Sequence, residues 1–284
     1  VAMPAARSSC SAWKPANSAC LEGALLADDA AQEGGCQKLQ LVPFQDPPVY
    51  GFRTPLLSSG ASARRPLVLT SFPVPPMPTP PEALASVNDI DCRGRTALVT
   101  GSTNGIGRAA ALALGRLGAD VVVHGRDPAA GAEVMSTLSD LGARATFVEA
   151  DFTDPDAVRR LADTARSWAD GLDLLLNNAG GLFQEKRLVG PGVELTFHVN
   201  HLAPYLLTAH LLDSLQENAR VVTTASEAHR GATLALDRLA DGGGRAGMGA
   251  YSHSKLANIL FARELGRRLQ EAGRSVVSHS VHPG

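Results

Sequence analysis

The sequence is poor in cysteine, nearly balanced in charge and without a long apolar run, and each shortage excludes a class of protein. Four cysteines stand in 284 residues: Cys10, Cys20, Cys36 and Cys92. None forms a C-x-x-C pair, so a zinc site is not expected, and no cysteine follows Cys92 to build a disulfide core. That usage fits a reducing, cytoplasmic setting. The formal net charge is −2, which gives no electrostatic footprint for nucleic acid. No stretch of about 18 apolar residues is present, so no membrane span is expected. The histidines form no H-E-x-x-H or similar ligand pattern, and no catalytic metal is expected.

Proline divides the chain into two unequal parts. Of 18 prolines, 13 lie before Arg93, and residues 73–81 read PVPPMPTPP. Such a stretch resists helix and sheet. Residues 1–92, rich in Pro, Ala and Ser, are expected to be a disordered extension. A proline-rich ligand for a partner is the alternative. The sequence begins at Val1, and Met77, just ahead of the patterned region, is the expected start of translation.

From residue 93 to 284, apolar runs alternate with amphipathic stretches. Strands are expected at 96–100, 120–124, 145–150, 172–178, 219–226 and 275–282. Helices are expected at 106–117, after Pro128, after Pro155, at about 192–215 with a kink at Pro204, and at about 250–272. Crossovers of ten or more residues join parallel strands. The expected fold is α/β: a Rossmann-type, doubly wound parallel sheet with helices on both faces. Its ligand site lies at the carboxyl ends of the strands.

The residues that bear chemistry fall at those ends. Thr100 leads into Gly101-Ser102-Thr103-Asn104-Gly105-Ile106-Gly107 between the first strand and first helix. Glycines there allow a tight turn and close approach of backbone to a pyrophosphate, and the helix N-terminus faces that anion. The second strand ends His124-Gly125-Arg126. An acid at this place would hold the ribose hydroxyls of NAD, whereas an arginine accommodates the 2′-phosphate of NADP. NADP(H) is therefore favoured over NAD(H), with a solvated Arg126 beside Asp127 as the bland alternative. Tyr251 and Lys255 stand one helical turn apart on one face. A cation so placed favours a phenolate and suits a tyrosine to acid/base work.

The G-x-x-x-G-x-G spacing, Asn177-Asn178-Ala179-Gly180, the serine of VVTTASEAH and Y-x-x-x-K together resemble the short-chain dehydrogenase/reductase family. ELTFHVNHLAPYLLTAHLL, SEAHR, YSHSKLANILFARELGRRL and SVHPG resemble its retinol-dehydrogenase-like branch. The resemblance covers about residues 93–284. It implies a catalytic set of Asn200, Ser226, Tyr251 and Lys255, with Thr224 as the alternative hydroxyl. Asn200 is implied to support a proton relay through Lys255, and Lys255 to hold the nicotinamide ribose. Asp151 and Phe152 after the third strand, Asn178, Ala179 and Gly180, and Pro283 and Gly284 are implied to line the cofactor. The implied activity is hydride transfer between a nicotinamide and a lipophilic carbonyl or alcohol substrate of small to medium size. A non-catalytic, NADP-binding redox sensor is the alternative. The family's substrate loop and seventh strand are expected beyond Gly284, leaving six strands and a truncated domain. Pairing through the long helices implies a homo-oligomer.

Overall fold

Val121, Val122 and Val123 are β-branched and consecutive, which suits a strand buried on both faces. They lie in β2 (Asp120–Gly125), near the middle of a parallel sheet in the computed structural model. The structure describes residues 87, 89–190, 192–234, 238 and 246–283. The extension expected over 1–92 therefore lies outside the described residues, apart from 87 and 89–92, as does Gly284. The other strands of the sheet are β1 (Thr96–Val99), β3 (Ala145–Glu149), β4 (Leu172–Asn177), β7 (Leu215–Thr224) and β8 (Val277–Val281). Their order is β3-β2-β1-β4-β7-β8, and all neighbours are parallel. The chain runs outward from β1 to β3, then returns to β4 on the other side of β1. That reversal opens a crevice between the ends of β1 and β4.

Alternation along the strands feeds two cores. Val99, Val121 and Val123 pack with α1 (Gly105–Arg116) and α2 (Pro128–Asp140). Leu98, Val122, Leu175 and Val221 face α3 (Pro155–Trp168), α5 (Ala203–Leu211) and α6 (Met248–Glu271). Helix starts follow from local chemistry. Asp127 Oδ1 accepts the N–H groups of Ala129 and Ala130 at 2.9 and 3.2 Å, with Pro128 at the first helical position. Asp154 and Pro155 repeat the device on α3. Each side chain satisfies otherwise orphaned donors.

Two expected elements differ. The helix expected over about 192–215 is preceded by a hairpin of β5 (Leu188–Val189) and β6 (Val193–Glu194). Gly190 and Gly192 have φ of +52° and +88° there, conformations that glycine adopts without steric cost. Helix then begins at α4 (Leu195–Phe197), where Glu194 Oε2 accepts the Phe197 N–H at 2.9 Å. Residues His198–Leu202 form a wide π turn, in which the Ala203 N–H bonds to the His198 carbonyl. Pro204, which has no N–H for the Asn200 carbonyl, follows at once. The expected kink is thus a π turn placed just before the proline. The second difference is β7, which starts at Leu215 rather than 219 and ends at Thr224 rather than 226. Its register against β4 shifts between Leu172 and Leu174, around an exposed Gln216-Glu217-Asn218 in which Asn218 has φ +62°. Polar residues on an irregular strand hid its beginning.

Candidate active site

Thr100 ties the two sides of the crevice together. Its Oγ1 accepts the N–H groups of Asn178 and Ala179, both at 2.9 Å, and donates to the Leu176 carbonyl at 3.2 Å. Asn178 Nδ2 returns a bond to the Thr100 carbonyl at 3.0 Å. Gly101 has φ +66°, and a Cβ on it would lie 2.9 Å from the Ala179 Cα. A Cβ on Gly107 would lie 2.3 Å from the Gly101 carbonyl and 2.5 Å from Asn178 Nδ2. Both positions need glycine because backbone passes backbone there. Ser102 is buried, Asn104 caps α1 through its Oδ1, and Ile106 is 52% exposed beside the turn. A helix N-terminus beside an uncovered apolar side chain fits an anionic ligand with an apolar part, as a nicotinamide dinucleotide has.

The outer end of the crevice carries two arginines. A cavity of about 560 Å³ is lined by Thr103, Asn104, Arg108, Arg126, Asp127, Ala130 and Glu133. Asp127 commits a carboxylate oxygen to the start of α2 rather than to Arg126. Arg108 and Arg126 pair with no carboxylate among the described residues, unlike Arg95 or Arg144. A Cβ on Gly125 would meet Thr103 Cγ2 at 2.4 Å, so Thr103 fills the space that an acidic side chain would need. Asp151 is exposed and caps its own turn through the Thr153 N–H at 2.8 Å. Phe152 is buried and stacks on His124 at 4.5 Å.

At the inner end, α6 brings up Tyr251 and Lys255. Lys255 is 4% exposed, and its Nζ donates to the Thr224 carbonyl at 3.0 Å. The same ammonium lies 5.4 Å from the centre of the Tyr251 ring. No carboxylate pairs with it among the described residues, and burial lowers its pKa to about 8. Asn200 sits in the π turn. Its Oδ1 accepts the Gly181 N–H at 2.8 Å, and its Nδ2 donates to the Gly181 carbonyl and to Ser254 Oγ at 3.0 and 3.1 Å. A Cβ on Gly180 would be 2.7 Å from Asn200 Oδ1 and 3.8 Å from Lys255 Nζ, so both side chains crowd the same point. Asn258 Nδ2 donates to the carbonyls of Asn200 and Thr224 at 3.0 and 3.2 Å.

Ser226 leaves the sheet at the end of β7 and caps the short turn Glu227–His229, its Oγ accepting the Ala228 N–H at 3.2 Å. Its own O–H, like the phenol of Tyr251, is spent on no protein acceptor among the described residues. Thr224 contributes its carbonyl to Lys255 and Asn258. Pro283 is half-buried beyond β8.

The structure thus gathers the glycine turn, Asn178–Gly180, Asn200 and Lys255 around one crevice. Sequence reasoning missed Thr100, Arg108, His124 and Asn258 as members of it. Asn258 carried a signal: it follows Tyr251 and Lys255 at the i, i+4, i+7 spacing of one helix face. Arg108 directly follows the last glycine of the turn. His124 was concealed in a strand of valines.

Residues 95–284 match the model of the family described as short chain dehydrogenase. Retinol dehydrogenase 12 of Mus musculus is 35% identical over 200 residues, covering 69% of this chain and 63% of that protein. Polyprenol dehydrogenase of Homo sapiens is 35% identical over 198 residues, covering 67% of this chain and 60% of its own length. The chain therefore spans less than two thirds of these curated relatives. A short chain dehydrogenase from Burkholderia cenocepacia, crystallised in complex with NADP, is 33% identical, with a TM-score of 0.58, over 68% of this chain and 75% of that one. The glycine turn lies at the switch of the sheet, and the family model, the curated relatives and the solved structure match the chain over this domain: the chain belongs to the short-chain dehydrogenase/reductases, in their retinol-dehydrogenase-like branch, and the family binds a nicotinamide cofactor.

Proposed function

We propose that this protein is an oxidoreductase that interconverts a lipophilic carbonyl compound and its alcohol, with NADP(H) preferred over NAD(H). The observation that carries the reading is the buried Lys255 ammonium beside the Tyr251 ring, at the point where Gly180 and Asn200 meet. A lysine desolvated without a carboxylate partner costs stability.

A bound nicotinamide supplies the hydride in reduction and takes it in oxidation. In reduction, the substrate carbonyl carbon receives the hydride and the C=O π electrons move onto oxygen. Tyr251 gives its phenolic proton to that oxygen, and the phenolate left behind is stabilised by the Lys255 cation. Ser226 offers its unspent O–H to the same oxygen as charge develops. Asn200 holds the Gly181 peptide, and with it the floor beneath Lys255. Solvent returns the proton to Tyr251. In oxidation each transfer reverses.

Support for NADP comes from Gly125, which lacks room for an acid, and from Arg108 and Arg126, two guanidinium groups on one cavity that pair with no carboxylate among the described residues. A guanidinium binds phosphate through charge and paired donors. Support for a lipophilic substrate comes from Leu182 and Met248, 42% and 56% exposed. They stand on the segments that carry Gly181 and Tyr251. Those segments touch, since a Cβ on Gly247 would lie 2.8 Å from Gln184 Oε1. The curated relatives are named for retinol and polyprenol, both lipophilic alcohols.

The test is a reduction assay on a panel of aliphatic and polyene aldehydes and ketones, run with NADPH and with NADH. The reading expects turnover that is greater with NADPH and rises with substrate chain length. Absence of turnover with both cofactors would overturn the enzymatic reading, and equal rates would overturn the NADP preference alone.

A further inference from the structure

His124 is an imidazole inside the sheet, 3% exposed, at the end of β2. A lone buried histidine is ordinarily a satisfied core residue, but the partners of this one are specific. Its Nδ1 accepts the N–H of Gly101 at 3.1 Å, and its Nε2 lies 3.0 Å from the Ala150 carbonyl. A carbonyl can only accept, so Nε2 carries the hydrogen. An N–H can only donate, so Nδ1 carries the lone pair. The two neighbours therefore select one neutral tautomer. The ring is held flat by Phe152, stacked at 4.5 Å with planes 20° apart. The main chain is clamped as well: Ser102 N–H donates to the His124 carbonyl at 2.8 Å, and the His124 N–H donates to Ser102 Oγ at 2.9 Å. Burial holds the imidazole pKa at about 4, so the ring stays neutral under ordinary conditions.

The geometry points to His124 as a positioning residue for the dinucleotide: it joins the Gly101 turn to the Ala150–Phe152 segment as one rigid unit and thereby sets cofactor affinity. Gly101 is the residue that turns the chain at φ +66° against Ala179. Among the described residues its N–H has a single acceptor, and a turn that must meet a pyrophosphate gains affinity when it is already held in shape. The inference rests on the reading that this turn receives a nicotinamide dinucleotide.

Three variants of the full chain separate this role from packing. Leucine at 124 keeps the bulk and removes both hydrogen bonds. Asparagine can place an amide oxygen near the site of Nδ1 and accept from Gly101. Glutamine reaches toward Ala150 without an acceptor at the Nδ1 position. NADPH binding is read by its fluorescence, turnover at saturating NADPH by absorbance, and melting without cofactor by circular dichroism. His124→Leu should weaken NADPH binding by about 10- to 100-fold, the range for a buried donor left without a partner. Turnover at saturating NADPH should fall much less than affinity. His124→Asn should recover most of the binding and bind more tightly than His124→Gln. Should the leucine variant fail to fold, the comparison of asparagine with glutamine decides. Equal affinity in those two, or wild-type affinity in a folded His124→Leu, would overturn the inference. Wild-type protein that bound neither NADPH nor NADH would overturn the dinucleotide reading beneath it.

Discussion

A buried ammonium without a carboxylate must balance lost hydration against whatever dipoles surround it. Lys255 has the Thr224 carbonyl and the edge of the Tyr251 site, and its pKa falls to about 8. The cation is present below that pH and disappears as pH rises through it. Because kcat/KM reports groups of the free enzyme, kcat/KM for carbonyl reduction should decline as pH rises through about 8. A steady-state pH profile checks this, and a profile flat to pH 10 would contradict it. Arg126 gives a second prediction at this scale. Losing one charge-assisted contact to phosphate costs about 1.5–3 kcal/mol, so Arg126→Ala should raise the KM for NADPH by about 10- to 100-fold. The KM for NADH should stay within about threefold. Equal losses with both cofactors would place Arg126 elsewhere than at a 2′-phosphate.

At the scale of elements, the π turn His198–Leu202 and α6 form one device. Pro204 cannot serve the Asn200 carbonyl, and Asn258 reaches across from α6 to do so. Asn258→Leu would leave the carbonyls of Asn200 and Thr224 without that donor. The expected cost is about 2–4 kcal/mol of stability, from one buried polar group weakened on each side. Denaturant melts check it, and a loss below about 0.5 kcal/mol would show that the turn holds itself. The position of Pro204 made a distortion legible in the sequence, but its form was not, because the partner of the freed carbonyl lies 58 residues away. The start of the same helix was obscured for a local reason: glutamate is an uncommon cap, and two glycines beside it make a hairpin rather than a helical turn. In β7, the polar Gln216-Glu217-Asn218 interrupts the apolar pattern, so only the regular half of the strand could be read. Motifs fared better because glycine spacing encodes backbone contact directly. Gly101 and Gly107 are required by Ala179 and Asn178, residues of the other recognisable motif.

Across the whole molecule, the buried histidines couple stability to acid. His124 has a pKa near 4 in the fold because burial disfavours its charged form, and His201 is lowered to about 4 for the same reason. An unfolded histidine titrates near 6.5. Between those values the unfolded chain binds more protons, so stability rises with pH across that window and is lost as pH falls from about 6.5 toward 4. His124 alone accounts for about 3 kcal/mol of that loss, at about 1.4 kcal/mol for each pKa unit. Between pH 7 and pH 5 the His124 share of that loss is about 2 kcal/mol, so the urea midpoint should be lower at pH 5, and equal midpoints would contradict the account. The proposed function makes one claim above the others: that Tyr251 is the proton donor of a hydride-transfer site. The most direct test replaces its hydroxyl alone. Tyr251→Phe should bind NADPH within about threefold of the wild type yet lose at least about 100-fold in carbonyl turnover, the lower end of what a positioned acid contributes. A folded, NADPH-bound Tyr251→Phe protein that kept near-full turnover would contradict it.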